Sequence, residues 1–174
     1  SLLETLVGFC SADSGSTHFS KPTEIAYLPQ QLLPKKILPV TVKAFVEMGQ
    51  WGPAKKASAA LSVSEALQVL KLNDLSKNLL SELSGGQWRR ALLARCLVQT
   101  ADFYLLDEPF NQLDLEMEST LGDLLRRLSR ENRKSFLIIS HDWHAMDHYF
   151  DSLYLINRKV IASGPVREVN DFYM

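Results

Sequence analysis

The sequence predicts an α/β fold in which a mostly parallel sheet is joined to a separate helical lobe. Two continuous apolar runs, Phe103–Leu106 and Phe136–Ile139, have the length and composition of strands buried on both faces of a parallel sheet. Strand and helix patterns alternate from about residue 100 onward, as they do in α/β proteins. Residues 40–98 read almost throughout as helix. We therefore predict an α/β core from residues 1–39 and 99–174 and a helical subdomain inserted between them.

Four elements are predicted before residue 80 from apolar spacing and from turn and capping residues. They are a helix at Leu2–Gly8, a strand at Ile25–Leu28, a helix at Thr41–Met48 and a helix from Ser62 to Leu72. Ser62 and Glu65 have the spacing of a capping box, in which each residue satisfies a backbone amide of the other.

Three more elements are predicted after residue 80. Ser84 and Gln87 form a second capping box, and the helix that follows has an apolar stripe from Trp88 to Cys96, with Arg89 and Arg90 off it. Asp114 caps a helix whose leucines recur at spacings of three and four. Leu153–Ile156 and Val160–Ala162 flank a short polar turn and predict a β-hairpin.

The composition excludes several classes of protein. Of the 174 residues, 46% are hydrophobic and 22% are charged, which is ordinary usage for a globular protein. Lys and Arg number 19 against 20 Asp and Glu, so there is no global basic field to hold nucleic acid or an anionic membrane. No apolar run approaches a membrane span. Cys10 and Cys96 form no disulfide pattern, which favours reduced thiols in the cytoplasm.

Two charged clusters are interpreted as solvated helix faces. A basic run from Arg126 to Lys134 lies opposite a leucine stripe, so its side chains are expected in solvent. His144 and His148 have a spacing that could chelate a metal ion, but an exposed helix face is the simpler interpretation.

The segment Leu83–Gln87 is the first that points to chemistry. A serine cap followed by Gly85 and Gly86 leaves several backbone amides exposed at a helix N-terminus, where phosphate binds well. Glycine in the first turn weakens a helix, so its presence suggests that something must come close. The alternative is a plain capping box in front of an amphipathic helix.

The segment Phe103–Pro109 is the second. Its strand would deliver Asp107 and Glu108 at the carboxyl end, where open α/β sheets place their ligands. Asp107 suits a water-mediated contact to Mg²⁺, and Glu108 suits a base that orients an attacking water. The alternative is a simple turn after the strand.

Five ordered segments resemble the motifs of one family, the ABC ATPases. Leu83–Gln87 resembles the signature motif, and Phe103–Glu108, twenty residues further along, resembles the Walker B strand with its adjoining glutamate. Tyr27–Gln30 resembles the Q-loop, Asn111–Asp114 resembles the D-loop, and Ser140–Asp142 resembles the H-loop. Together these segments cover most of the chain.

The resemblance implies a P-loop NTPase core that binds ATP and Mg²⁺ and that pairs head to tail with a second copy or a second ATPase subunit. For hydrolysis, it implies that Glu108 is the general base, that Asp107 holds Mg²⁺ through water, and that Gln30 contacts Mg²⁺ and the attacking water. It also implies that His141 binds the γ-phosphate and that Asp114 couples the two sites. The ATP held by the partner copy would be bound by the signature residues Ser84, Gly85, Gly86 and Gln87.

A finer resemblance concerns the transported substrate. Four short segments are similar to the ATPase subunits of manganese, zinc or iron importers: Pro39–Val42, Met48–Gly52, Tyr149–Asp151 and Leu155–Arg158. This similarity implies a subunit at the cytoplasmic face of a membrane that works with transmembrane permease subunits and a substrate-binding protein. The apolar, proline-rich segment Leu32–Trp51 is interpreted as loop plus core, and the resemblance implies that it also lies beside the groove that receives a membrane subunit; the two interpretations are compatible.

One motif of the family is absent from the sequence. No G-x-x-x-x-G-K-[ST] P-loop occurs, and Ser1–Leu3 resembles the residues that follow that motif. We therefore expect that the sequence is truncated at its N-terminus, and that the 174 residues alone hydrolyse no ATP. Two alternatives stay open: a soluble ABC ATPase of DNA repair or translation, and a non-catalytic subunit that lacks a P-loop.

Overall fold

The computed structural model describes residues 2–30, 39–52, 58–141 and 148–173. The α-helices are α1 (Leu2–Val7), α2 (Val42–Glu47), α3 (Val63–Val69), α4 (Gly85–Leu97), α5 (Leu115–Asn132) and α6 (Val166–Tyr173). The strands are β1 (Ile25–Leu28), β2 (Phe103–Asp107), β3 (Ser135–Ile139), β4 (Ser152–Asn157) and β5 (Lys159–Pro165). The predicted helices and strands occur in their predicted order, and α6 is a further helix that the sequence did not predict.

A parallel sheet carries the α/β part of the fold. Its strands lie in the order β1-β2-β3, with Leu28 opposite Leu106 and Asp107 opposite Ile139. The central strand β2 is buried from Tyr104 onward, as its apolar run predicted. Strand β3 was expected to be buried on both faces but is only partly buried, because it forms an edge of the sheet within the described residues.

The helical lobe is built by α2, α3 and α4, and capping residues fix where its helices begin. The Ser62 hydroxyl accepts from the Glu65 amide, and the Glu65 carboxylate accepts from the Ser62 amide at 2.8 Å, so the predicted capping box is confirmed. Helix α3 ends at Val69 and not at Leu72, because Lys71 adopts a left-handed conformation with φ of 52°. Helix α2 begins after its cap Thr41 and continues as a 3₁₀ turn at Met48–Gln50.

One hydrophobic core runs through both the lobe and the sheet. Phe45 and Leu93 of the lobe belong to the same buried cluster as Tyr104 and Leu106 of β2 and Leu121 of α5. The Tyr104 hydroxyl, near the start of β2, also bonds to both sides of the boundary between the lobe and the sheet. The Tyr104 hydroxyl accepts from the Ala60 amide at 2.9 Å and donates to the Gln99 carbonyl at 2.8 Å. The division at residues 40 and 98 stays a prediction.

Two charged side chains that were not predicted to be buried are buried. Lys134 is 4% exposed, and its ammonium group donates to the carbonyl oxygens of Ser58 at 2.6 Å and Ala101 at 2.7 Å. The basic-run interpretation is therefore wrong for Lys134, because the chain turns back into the sheet there, after the left-handed Arg133. Arg89, expected off the apolar stripe of α4, is 6% exposed and belongs to the site described below.

Other predictions are confirmed, or fall on residues that are not described. Cys96 is buried in the core as expected, and burial raises the pKa of its thiol to about 12. The hairpin of β4 and β5 forms as predicted. Asp142, His144 and residues 31–38 and 53–57 lie outside the described residues. In the described part of the chain, no helix is long and apolar enough to cross a bilayer.

Candidate functional site

The predicted site residues follow the carboxyl ends of the three parallel strands. Glu108 comes directly after β2, Gln30 is two residues beyond β1, and His141 is two residues beyond β3. Parallel strands in register bring these ends to one edge of the sheet, which is the edge where such folds bind ligands.

Glu108 has an unusual backbone conformation, and hydrogen bonds hold it on both sides. Its φ is 52°, in the left-handed region that side chains other than glycine adopt at a cost. Its amide donates to the Ile139 carbonyl at 2.9 Å, which extends the pairing of β2 with β3 by one residue. The turn that follows is closed by the Asn111 amide, which donates to the Glu108 carbonyl at 3.2 Å.

The Glu108 carboxylate lies beside an exposed histidine. Its Oε1 is 2.9 Å from Nε2 of His141, whose side chain is 87% exposed, whereas Glu108 itself is 3% exposed. The two atoms are close, but the contact does not have hydrogen-bond geometry, and Oε1 accepts no hydrogen bond within the described part of the chain. A buried carboxylate oxygen in this position is available to accept a proton from a water or to bind a donor group.

Asp107 lies at the end of β2 and is 9% exposed. Burial raises the pKa of its carboxyl group above the ordinary value, and the nearby Arg89 guanidinium acts in the opposite direction. Carboxylate oxygens are the ligands that Mg²⁺ prefers, and few of them are needed because the ion keeps several waters. Asp107, together with the unsatisfied Oε1 of Glu108, therefore fits a hydrated Mg²⁺ ion.

The N-terminus of α4 has the capping geometry that the sequence predicted. The Ser84 hydroxyl accepts from the Gln87 amide at 3.2 Å, and the Gln87 side chain accepts from the Ser84 amide at 2.8 Å. Ser84 and Gly85 are exposed. The Ser84 hydroxyl proton is not used by the cap, and the amides of the first turn have no carbonyl within the helix to bond, so this end can donate to an anion.

The two glycines of α4 also touch the turn that follows Glu108. A Cβ atom on Gly86 would lie 2.8 Å from the Gln112 carbonyl oxygen, and one on Gly85 would lie 3.3 Å from the end of the Gln112 side chain. The glycine at position 86 is therefore required by a contact within the chain itself. From the sequence, the close approach at these glycines was expected from a phosphate.

Asp114 begins α5 as its N-cap, and its Oδ1 accepts from the Met117 amide at 2.8 Å. Its side chain is exposed, on the same connection between β2 and α5 that carries Gln112. The predicted cap is confirmed.

Arg89 is the residue of this site that sequence reasoning missed. Its Nη2 donates to the carbonyl oxygens of Asp107 at 2.6 Å and of Glu108 at 2.5 Å. Its Nη1 lies 3.5 Å from the carbonyl oxygens of Pro29 and Gln30. Among the described residues, no hydrogen bond joins Gln30 directly to Asp107 or Glu108. A helical pattern places an arginine off the apolar stripe without showing that buried carbonyls lie opposite it.

Comparisons with known proteins agree on one family. A family model described as ABC transporter matches residues 1–111. The chain is 34% identical to the manganese transport system ATP-binding protein MntB of Listeria innocua, over 96% of this chain and 74% of that protein. It is 35% identical to the zinc transport system ATP-binding protein TroB of Treponema pallidum, over 95% of this chain and 66% of that protein.

Solved structures confirm the fold class. An ATP-binding cassette of an ABC transporter in its ADP conformation superposes with a TM-score of 0.73 and 23% identity, over 98% of this chain and 77% of that one. The archaeal ribosome recycling factor aABCE1 superposes with a TM-score of 0.78 and 28% identity, over 98% of this chain and 33% of that one.

Proposed function

We propose, because this chain belongs to the ABC transporter ATPase family, that it is part of a subunit that hydrolyses ATP to drive import of a transition-metal ion. The relatives named for manganese and zinc transport match more than nine-tenths of the chain and support a metal as the transported substrate. In this proposal the subunit lies on the cytoplasmic face of a membrane and works with permease subunits and a substrate-binding protein.

The observation that carries the proposal is the buried Glu108 carboxylate at the tip of β2. Its Oε1 accepts no hydrogen bond from the described residues and lies 2.9 Å from His141. In the proposed mechanism Glu108 accepts the proton of the attacking water and holds that water in line with the γ-phosphate. The left-handed backbone at Glu108 ends the extended conformation of the strand at this residue.

The neighbouring residues would hold the other reacting groups. Asp107 would bind waters of the Mg²⁺ ion, and Gln30 would contact the ion and the attacking water. The exposed His141 ring would donate to the γ-phosphate from the edge of the sheet while staying beside Glu108. Bound Mg²⁺ would neutralise charge on the phosphate oxygens.

The signature residues would act on a partner copy. In a head-to-tail pair, the Ser84 hydroxyl and the amides of Gly85 and Gly86 would donate to the ATP bound by the other subunit, and Gln87 would support them through the capping box. Asp114, on the connection between β2 and α5, would couple the two sites. Separation of the pair after hydrolysis would then drive the membrane subunits.

Replacing Glu108 by glutamine tests this assignment in the full-length protein. An amide cannot accept the water proton, so we expect Glu108→Gln to slow hydrolysis by about 10²–10⁴-fold. Binding of ATP should be retained, because the phosphates are held by other groups. Steady-state phosphate release and equilibrium nucleotide binding measure the two effects. Glu116→Gln is the matched control, because Glu116 is exposed and pairs with Lys71. Undiminished turnover in Glu108→Gln would remove Glu108 from this role.

A second candidate function is that of a soluble ABC ATPase in translation, which the likeness to the ribosome recycling factor favours. The two functions predict different partners. A metal-importer subunit should co-purify with a membrane protein from detergent extracts, and its loss should reduce cellular uptake of manganese or zinc. Co-purification with ribosomes and unchanged metal uptake would favour the second function.

A further inference from the structure

We propose that Arg89 is a positioning residue that holds the turn carrying Glu108 and ties that turn to the segment carrying Gln30. This inference rests on the proposed function, in which Glu108 and Gln30 act on the same attacking water. It assigns a role in hydrolysis to a residue that would make no contact with the nucleotide.

The contacts of Arg89 span two strand ends of the sheet. One guanidinium nitrogen donates to two successive carbonyl oxygens, those of Asp107 and Glu108. The other lies at hydrogen-bonding range, 3.5 Å, from the carbonyl oxygens of Pro29 and Gln30. The planar, forked guanidinium can reach both pairs at once, which a lysine ammonium on a single stem cannot do.

The backbone at Glu108 needs such a support. A left-handed conformation at a residue other than glycine costs about 1–2 kcal/mol and persists only where surrounding contacts enforce it. Two of these contacts are hydrogen bonds: the Glu108 amide donates to the Ile139 carbonyl, and the Arg89 guanidinium donates to the Glu108 carbonyl. Loss of Arg89 would leave the Glu108 carbonyl with only the longer hydrogen bond from the Asn111 amide among the described residues, and would allow the carboxylate to move.

Burial of Arg89 is costly, and this cost argues for a role beyond filling the core. The side chain is 6% exposed, and its Nε makes no hydrogen bond within the described residues. A buried cation is tolerated only where opposite charge and acceptors surround it. Here the acceptors are the four carbonyl oxygens, and the opposite charges are the carboxylates of Asp107 and Glu108.

The adjacent Arg90 provides a matched control. It is also an α4 arginine that donates to two successive carbonyl oxygens, those of Leu70 at 3.0 Å and Lys71 at 3.2 Å. These carbonyls follow α3 in the helical lobe and do not belong to the edge of the sheet. Replacing Arg90 therefore removes the same chemical group and the same kind of hydrogen bond from a place remote from Glu108.

The first measurement is hydrolysis by full-length protein carrying Arg89→Met, Arg89→Lys or Arg90→Met. A misplacement of about 1 Å of a reacting group can cost about 10²-fold in rate, so we expect kcat of Arg89→Met to fall by about that factor. The KM for ATP should change by less than about threefold, since no binding group is removed. Arg89→Lys should lie between Arg89→Met and the unaltered protein, and Arg90→Met should stay within about twofold of the latter.

The second measurement is amide hydrogen exchange, which does not depend on activity. In both Arg89 variants we expect the amides of Glu108 and Asn111 to exchange at least about tenfold faster, while Arg90→Met leaves them unchanged. Unchanged kcat in a folded Arg89 variant, or unchanged exchange at these amides, would overturn the proposal. If neither Arg89 variant folds, the role is structural and the proposal is likewise overturned. If the unaltered protein hydrolyses no ATP, the proposed function fails and the exchange data still decide whether Arg89 holds this turn.

Discussion

At the scale of single residues, the structure assigns buried polar groups that a sequence pattern cannot assign. Asp107 and Glu108 were predicted at a strand end and are found there, because a continuous apolar run followed by two carboxylates is a local signal. Lys134 was expected in solvent and Arg89 off the apolar stripe of α4, yet both are buried, because their acceptors are backbone carbonyls from distant parts of the chain. The sequence carries no local signal for such acceptors.

The two glycines of α4 provide a test at this scale. Both have helical backbone, so alanine should favour the helix by up to about 1 kcal/mol at either position. At position 86 the new Cβ would meet the Gln112 carbonyl at 2.8 Å, and we expect a net loss of about 1–3 kcal/mol in the free energy of unfolding. At position 85 the neighbour is the end of a flexible side chain, so Gly85→Ala should be neutral or slightly stabilising. Urea unfolding compares the two variants, and equal effects would contradict the contact.

At the scale of elements, capping residues determined most helix starts correctly. Ser62, Ser84 and Asp114 each precede a helix and each accept the predicted backbone amide. Helix ends were predicted less well, as the early end of α3 at Val69 shows. The left-handed conformation that follows this helix is adopted by Lys71 and not by a glycine, so the sequence contains no residue that marks the helix end. A side chain other than glycine reaches this conformation only when the tertiary contacts around it require it.

Asp114 tests whether a cap at the site has a second role. Asp114→Ala removes the hydrogen bond to the Met117 amide and should lower the free energy of unfolding by about 1 kcal/mol. Ser62→Ala removes an equivalent cap in the helical lobe and should lower the free energy of unfolding by about the same amount. If Asp114 also couples two ATP sites, only Asp114→Ala should slow hydrolysis when both variants are compared well below their unfolding temperatures. Equal hydrolysis rates would limit Asp114 to its structural role.

At the scale of the whole molecule, the candidate site residues lie on two separate surfaces of the chain. Glu108 follows the carboxyl end of the central strand β2, whereas Ser84 is the exposed N-cap of helix α4 in the lobe. The turn after Glu108 contacts the first residues of α4 through Gln112 and Gly86, so the two surfaces are connected within one chain. A head-to-tail pair would use one surface from each copy at each ATP site.

Complementation between two inactive full-length variants tests this arrangement. Ser84→Arg should block the surface that contacts the partner's ATP, and Glu108→Gln should inactivate the ATP site of the copy that carries it. Each variant alone should therefore show little hydrolysis. A mixed pair would contain one site with neither substitution. With random pairing, we expect an equimolar mixture exchanged through dissociated subunits to recover about a quarter of the original activity. No recovery, with mixed pairs demonstrated by tagged subunits, would exclude shared sites.

The sequence by itself determined the family, the order of helices and strands, and the residues that follow each strand of the parallel sheet. These features depend on local signals: apolar runs, capping pairs and short motifs such as Leu83–Gln87. Only the tertiary structure decided that Arg89 donates to the Glu108 carbonyl and that Gly86 packs against the Gln112 carbonyl. It likewise decided that Lys134, just before β3, donates to the Ala101 carbonyl near the start of β2. Each of these contacts pairs a residue with a backbone carbonyl far along the chain, and a carbonyl is present at every position of every sequence. The positions of such acceptors become known only when the chain is folded.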